Sequence, residues 1–140
     1  MEMAALEQLL HDGMSLARHR ISSDGRLNPF ALLLEQGGGR QVIESLAAGD
    51  EGVEGLVYSA QSIVSANAVD AVLVCAQCKV TPDDENLKMD AISVLLETPD
   101  QCIKGYQLYG DNLEGQLMFA QLEMDESEPV VFTAGSNGQS

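Results

Sequence analysis

Cys75 and Cys78 stand two residues apart, the spacing that serves zinc sites and dithiol redox centres. Their setting speaks against both. The surrounding residues Val72, Leu73, Val74 and Val80 read as a strand, in which residues three apart point to opposite faces. A redox pair also needs a helix N-terminus to lower a thiol pKa, and here the strand simply continues. Cys102 is alone, while His11 and His19 belong to a distant helix, so no second pair of ligands is at hand. The sequence therefore predicts buried, apolar cysteines and assigns no metal, cofactor or catalytic residue.

The other motifs with chemical possibilities yield to simpler readings. Gly37, Gly38, Gly39 and Arg40 would cradle a phosphate only if a helix followed, and Gln41, Val42 and Ile43 read as strand, which makes the glycines a hairpin turn. Asp83, Asp84, Glu85 and Asn86 lack the alternating spacing and terminal Glu of a calcium loop and read as a charged hairpin tip. Asp111 and Glu114 across Asn112 carry no diagnostic spacing. His11, Arg18, His19, Arg20 and Arg26 form the one basic neighbourhood, with His11 and Arg18 on a common helix face. Arg18 and His19 are its candidate interaction residues, weighed against compensation of the helix dipole. Tyr106 and Tyr109 share a strand at an odd offset and are expected to face opposite ways; they are the other interaction candidates, since Tyr is enriched at protein interfaces.

The elements that must position these residues follow from hydrophobic spacing. Met3, Leu6, Leu10, Met14 and Ala17 recur at helical steps, predicting a first helix that ends near Ile21, with Ser22, Ser23, Asp24 and Gly25 as a turn. Gly13 weakens it by about 1 kcal/mol relative to Ala unless close packing requires a missing side chain. Residues 30–35 are apolar at consecutive positions and predict a strand covered on both faces; residues 40–43 return as its partner, and residues 44–48 fit either the end of that strand or the next helix. Asp50 is the expected N-cap of a second helix whose face carries Val53, Leu56, Val57, Ala60, Ile63, Val64 and Ala68. The back of that helix, Ser59, Ser62, Ser65 and Ala66, is small and uncharged, which implies a second contact, from another element or another subunit, and a homodimer is the expected assembly. Strands are expected at residues 70–80, 87–97, 102–109 and 117–123, with a short edge strand at residues 130–132. The result is an α+β fold of order α-β-β-α-β-β-β-β, an antiparallel sheet of about five to six strands with two helices, forming one domain over residues 1–133 with a disordered tail at 134–140.

Charge and composition narrow the function. The 140 residues carry a formal net charge of −15, divided as −1 over residues 1–40 and −14 over residues 41–140. Such a surface repels phosphate backbones and anionic lipid, so neither nucleic acid nor membrane is an expected partner, and a basic protein is. With 45% hydrophobic but only 4% aromatic residues, aliphatic side chains must fill the core. The first residues lack a basic leader and an unbroken apolar stretch, and the three cysteines are an odd number, so the expected home is the reducing cytoplasm.

Asp90, Ala91, Ile92, Val94 and Glu97, followed by Tyr106 and Tyr109, are similar to strings in a group of small bacterial proteins, and Asp24, Gly25, Pro29, Phe30 and Ala31 match the first strand of the same group. That resemblance implies a bacterial origin and brings no catalytic residues. The element order resembles roadblock and profilin-like domains, and more distantly secretion chaperones, although no C-terminal helix is expected here. The function expected is a non-enzymatic protein-interaction module. The rival is a small-molecule-binding protein or small enzyme with a pocket between the first helix and the sheet, using His11, Arg18 or His19.

Overall fold

The computed structural model describes residues 3–47, 49–66, 68–81 and 88–132. Helix α1, Met3–Asp24, buries Leu6, Leu9, Met14, Ala17 and Ile21 along one stripe. It runs one turn beyond the expected end, because Gly25 closes it: at φ 75° its N–H donates to Ile21 O at 2.9 Å, a left-handed cap that draws Ser22, Ser23 and Asp24 into the helix. The last turn therefore carries no base, and the expected dipole compensation by Arg18, His19 and Arg20 does not hold. Gly13 faces Leu73, and a Cβ there would overlap Leu73 Cδ2. The glycine in mid-helix thus lets α1 approach the sheet closely at Leu73.

Among the described residues seven strands form one antiparallel sheet: β1 Phe30–Glu35, β2 Arg40–Glu44, β3 Val69–Val80, β4 Met89–Glu97, β5 Cys102–Asp111, β6 Leu117–Phe119 and β7 Glu123–Glu126. The order is β2-β1-β3-β4-β5-β6, with β7 also on the outer side of β5. Helix α2, Gly49–Ala66, lies between β2 and β3 in the chain. This is the α+β order read from the sequence.

The two helices take opposite faces of the sheet. Phe30, Leu32, Leu34, Leu73, Ile92 and Leu96 pack with α1, whereas Ala31, Leu33, Val72, Val74 and Leu95 pack with Leu56 and Ala60 of α2. Strand alternation makes this division automatic, and it explains why β1 had to be apolar at every position. Each fully buried Leu or Phe contributes about 1.5–3 kcal/mol, so the doubly covered β1–β3 centre is the most stable part of the molecule.

The ambiguous stretch after β2 is a link: Glu44 ends the strand, and Ser45 Oγ both donates to Ala47 O and accepts from Ala47 N, at 2.9 and 3.0 Å. Helix α2 then starts at Gly49, whose φ of 68° favours glycine, and Asp50 sits in the first turn beside Glu51 and is not the cap.

The C-terminal half differs most from expectation. The strand expected at residues 117–123 is divided: Tyr109 pairs with Phe119, but Tyr106 pairs with Glu123, so the register slips by one residue across residues 120–122. Residues 130–132 form no strand, because their N–H groups are taken by a side chain rather than by a neighbouring strand. The expected hairpin tip at Asp83, Asp84, Glu85 and Asn86 and the tail at 134–140 lie outside the described residues.

Candidate functional site

The sheet separates the thiols. Cys75 lies in the α1-side core and is fully buried, Cys78 is half-buried on the other face, and Cys102 is buried on the α2 side beside Glu97. Burial pushes the Cys75 thiol up to about 12 and, with Glu97 adding to the effect, that of Cys102 up to about 11; Cys78 is raised by burial too. Among the described residues no three His, Cys, Asp or Glu side chains converge on a common point. In native labelling with a maleimide at mildly alkaline pH, Cys78 is expected to react first and Cys75 only on global unfolding. Equal rates for Cys75 and Cys78, read by peptide mass spectrometry, would contradict the placement of the thiols.

The glycine turn is a hairpin: Glu35 N–H donates to Gly39 O at 2.8 Å and Gly38 N–H to Glu35 O at 3.0 Å, with Gly37 and Gly38 at φ 90° and 96°. Asn112 organises the β5–β6 turn, its Oδ1 accepting from the N–H of Glu114 and Gln116 at 2.9 Å each, and Asp111 and Glu114 take no part in a shared site there. The basic neighbourhood of α1 is spread out. Arg18 donates to Gln107 Oε1 of β5 at 3.3 Å, Arg20 pairs with Glu44 of β2 and stacks over Phe30 at 5.7 Å, and His11 and His19 stay exposed. Arg20 and Arg26, with Asp24 and Asn28, line a cavity of about 150 Å³ at the end of α1.

Tyr106 and Tyr109 do face opposite ways. Tyr109 lies on the α1 side against Phe119, ring centroids 5.8 Å apart, and its hydroxyl accepts from Gln77 Nε2 at 2.6 Å. Tyr106 pairs with Ser93 and stays half-buried on the α2 side.

On that side the sheet is only half covered. Helix α2 lies over β1 and β3, and among the described residues no helix covers the floor of β4, β5 and β6 on this side, where Met89, Leu108 and Met118 lie beside Ser93, Lys104 and Tyr106. A cavity of about 230 Å³ opens where α2 ends sideways, lined by Val53, Val57, Ser93, Leu95, Lys104 and Val130. Farther along, a hollow of about 300 Å³ is lined by Met89, Leu108 and Met118, with Met89 39% and Met118 53% exposed. Exposed carboxylates lie near this floor: Asp50 of α2, whose charge acts on Cys78, and Glu123 and Asp125 on β7, opposite Tyr106 and Lys104. The 230 Å³ cavity lies on the α2 side; next to α1, where the sequence placed the pocket of the rival reading, Met3 and Leu6 with Thr98, Asp100 and Gln101 of the β4–β5 turn line a hollow of about 170 Å³.

One residue that sequence reasoning passed over closes the far end of the floor. Glu97, at the end of β4, is completely buried, and its carboxylate accepts three main-chain N–H groups, from Val130 and Val131 at 2.9 and 2.8 Å through Oε1 and from Phe132 at 2.8 Å through Oε2. Gln61 of α2 adds a bond from Nε2 to Val130 O at 2.8 Å. These bonds strap residues 130–132 across the sheet, with Val131 and Phe132 buried beneath. The signal available in the sequence was a single carboxylate ending the apolar run Val94, Leu95, Leu96. No family model, curated protein or solved structure matches the chain.

Proposed function

We propose that this chain is a non-enzymatic, acidic, cytoplasmic protein-interaction module that acts as a homodimer and receives an apolar segment of a basic partner on the open half of its α2-side sheet. The observation that carries the reading is the floor of β4, β5 and β6, uncovered among the described residues, which exposes Met89 and Met118 in a sheet that also carries the exposed carboxylates Glu123 and Asp125 on β7. Exposed apolar surface rimmed by polar groups marks interaction sites, and a rim of one sign selects a partner of the other. A length of amphipathic helix laid beside α2 would complete the layer that one helix leaves half built. Tyr106, on the floor, is the interaction candidate that the geometry favours; Arg18 serves β5, His19 lies on the α1 side, and Tyr109 is enclosed.

A designed amphipathic peptide of Leu and Lys is the probe. Calorimetry is expected to show micromolar binding that weakens at least about tenfold between low and high salt, while a Leu and Glu counterpart does not bind. Equal binding of both peptides, or of neither, contradicts the reading.

The 230 Å³ cavity favours a second reading, a small apolar carboxylate held by Lys104 and Ser93. A metabolite screen by thermal shift separates the two: stabilisation by one small acid supports this alternative.

A further inference from the structure

The two edges of the sheet differ in kind, and the difference identifies the surface through which two copies meet. The β6–β7 edge is broken by the slip at residues 120–122 and carries Glu123, Asp125 and Glu126, both of which oppose the approach of another strand. The other edge, β2, is regular over its five residues, and among the described residues no strand pairs with its outer side.

Its pairing with β1 fixes which main-chain groups point outward. The bonds from Glu35 N–H to Gly39 O and from Ser45 N–H to Pro29 O mark hydrogen-bonded pairs at the two ends of the hairpin, and the register joins Leu33 to Gln41 and Ala31 to Ile43 between them. In an antiparallel ladder such pairs alternate, so Gln41 and Ile43 bond inward and Arg40, Val42 and Glu44 present their N–H and C=O groups to the outside.

We infer that β2 pairs antiparallel with β2 of a second copy, with Val42 on the two-fold axis. This register sets Val42 against Val42 and Arg40 against Glu44, and all three are the residues whose outward groups are free to bond, giving six main-chain hydrogen bonds. Charges on an edge strand ordinarily keep it single. Here the signs are opposite at symmetric positions, so the two-fold turns them into attraction, the cross-strand pairing that stabilises antiparallel ladders. Arg40 already pairs with Asp12 and Glu44 with Arg20, so the charges of the two copies alternate along the seam on the α1 side. Val42, 55% exposed in the single chain, becomes covered. Leu46, fully exposed just beyond the strand, comes opposite Gly38 of the second copy, which offers no side chain to obstruct it. The match of charge, backbone parity and exposed apolar residues commits this edge to a copy of the same chain.

The inference rests on the homodimer reading, and the experiment separates the two. Sedimentation velocity is run on the full chain at concentrations up to about 200 μM, where a short interface of this kind is populated. The wild type is expected to dimerise. Val42→Pro removes an outward N–H and leaves the β1 ladder intact, and it is expected to weaken the dimer at least about tenfold with unchanged far-UV circular dichroism. Arg40→Glu is expected to do the same by setting like charges opposite, and Arg40→Glu with Glu44→Arg to restore association. The charge pair carries the test should the proline variant not fold. A monomeric wild type at the highest concentration overturns the homodimer reading and this inference together. A dimer that survives both single substitutions leaves the homodimer standing and overturns the β2 assignment.

Discussion

Glu97→Ala is expected to lower the unfolding free energy by about 3 kcal/mol, the largest loss for any single polar side chain in the molecule. The substitution removes the acceptor of three main-chain N–H groups. A buried donor left without a partner costs about 1–3 kcal/mol, so residues 130–132 cannot stay in place and must swing out to water. That movement rehydrates the donors but exposes Val131 and Phe132, each of which forfeits part of the roughly 1.5–3 kcal/mol gained on burial. Glu97→Gln should cost less, because one oxygen remains to accept while the new amide NH₂ confronts an N–H. Urea unfolding measures the loss, and hydrogen exchange locates it: the Val131 and Phe132 amides should exchange at least about tenfold faster while β1 and β3 keep their protection. A variant as stable as the wild type, with those two amides still protected, contradicts the strap.

Gly105→Ala is expected to cost about 2–3 kcal/mol, and its mechanism is different. Gly105 pairs with Met124 across the β5–β7 seam, and a Cβ there would overlap the main-chain oxygen of Glu123 and crowd Met124 Sδ at 2.7 Å. A backbone atom has no rotamer with which to yield, so β7 must leave β5 and four paired residues with it. At Gly13 the obstructing atom is the end of the Leu73 side chain, which can turn, and an alanine there gains about 1 kcal/mol of helix propensity to offset the crowding. Gly105→Ala should therefore be the more damaging of the two glycine substitutions. Comparable losses at both positions, measured in urea, would contradict the account of the β5–β7 seam.

The parts of the fold legible in the sequence are those in which burial leaves a periodic trace. The run from Phe30 to Leu34 announced a strand covered on both faces, and the opposite orientation of Cys75 and Cys78 followed from the two-residue period alone. The path of residues 117–132 was not legible, since it depends on a one-residue slip and on a carboxylate thirty-three residues away from Val130, neither of which has a periodic signature. The open floor could not be read either. Leu108, Met89 and Met118 look like ordinary inward residues of an alternating strand; that among the described residues no helix covers them is a fact about how far α2 reaches, visible only when the layers are assembled.

The claim on which the functional reading depends is that the uncovered half of the α2-side sheet is the working surface. Amide chemical-shift mapping of the isotope-labelled chain, titrated with the Leu and Lys peptide, tests it most directly. The account predicts shifts concentrated at Ser93, Lys104, Tyr106, Leu108 and Met118, with α1 unmoved. Shifts concentrated on α1 around Arg18 and His19, or none at saturating peptide, would contradict it.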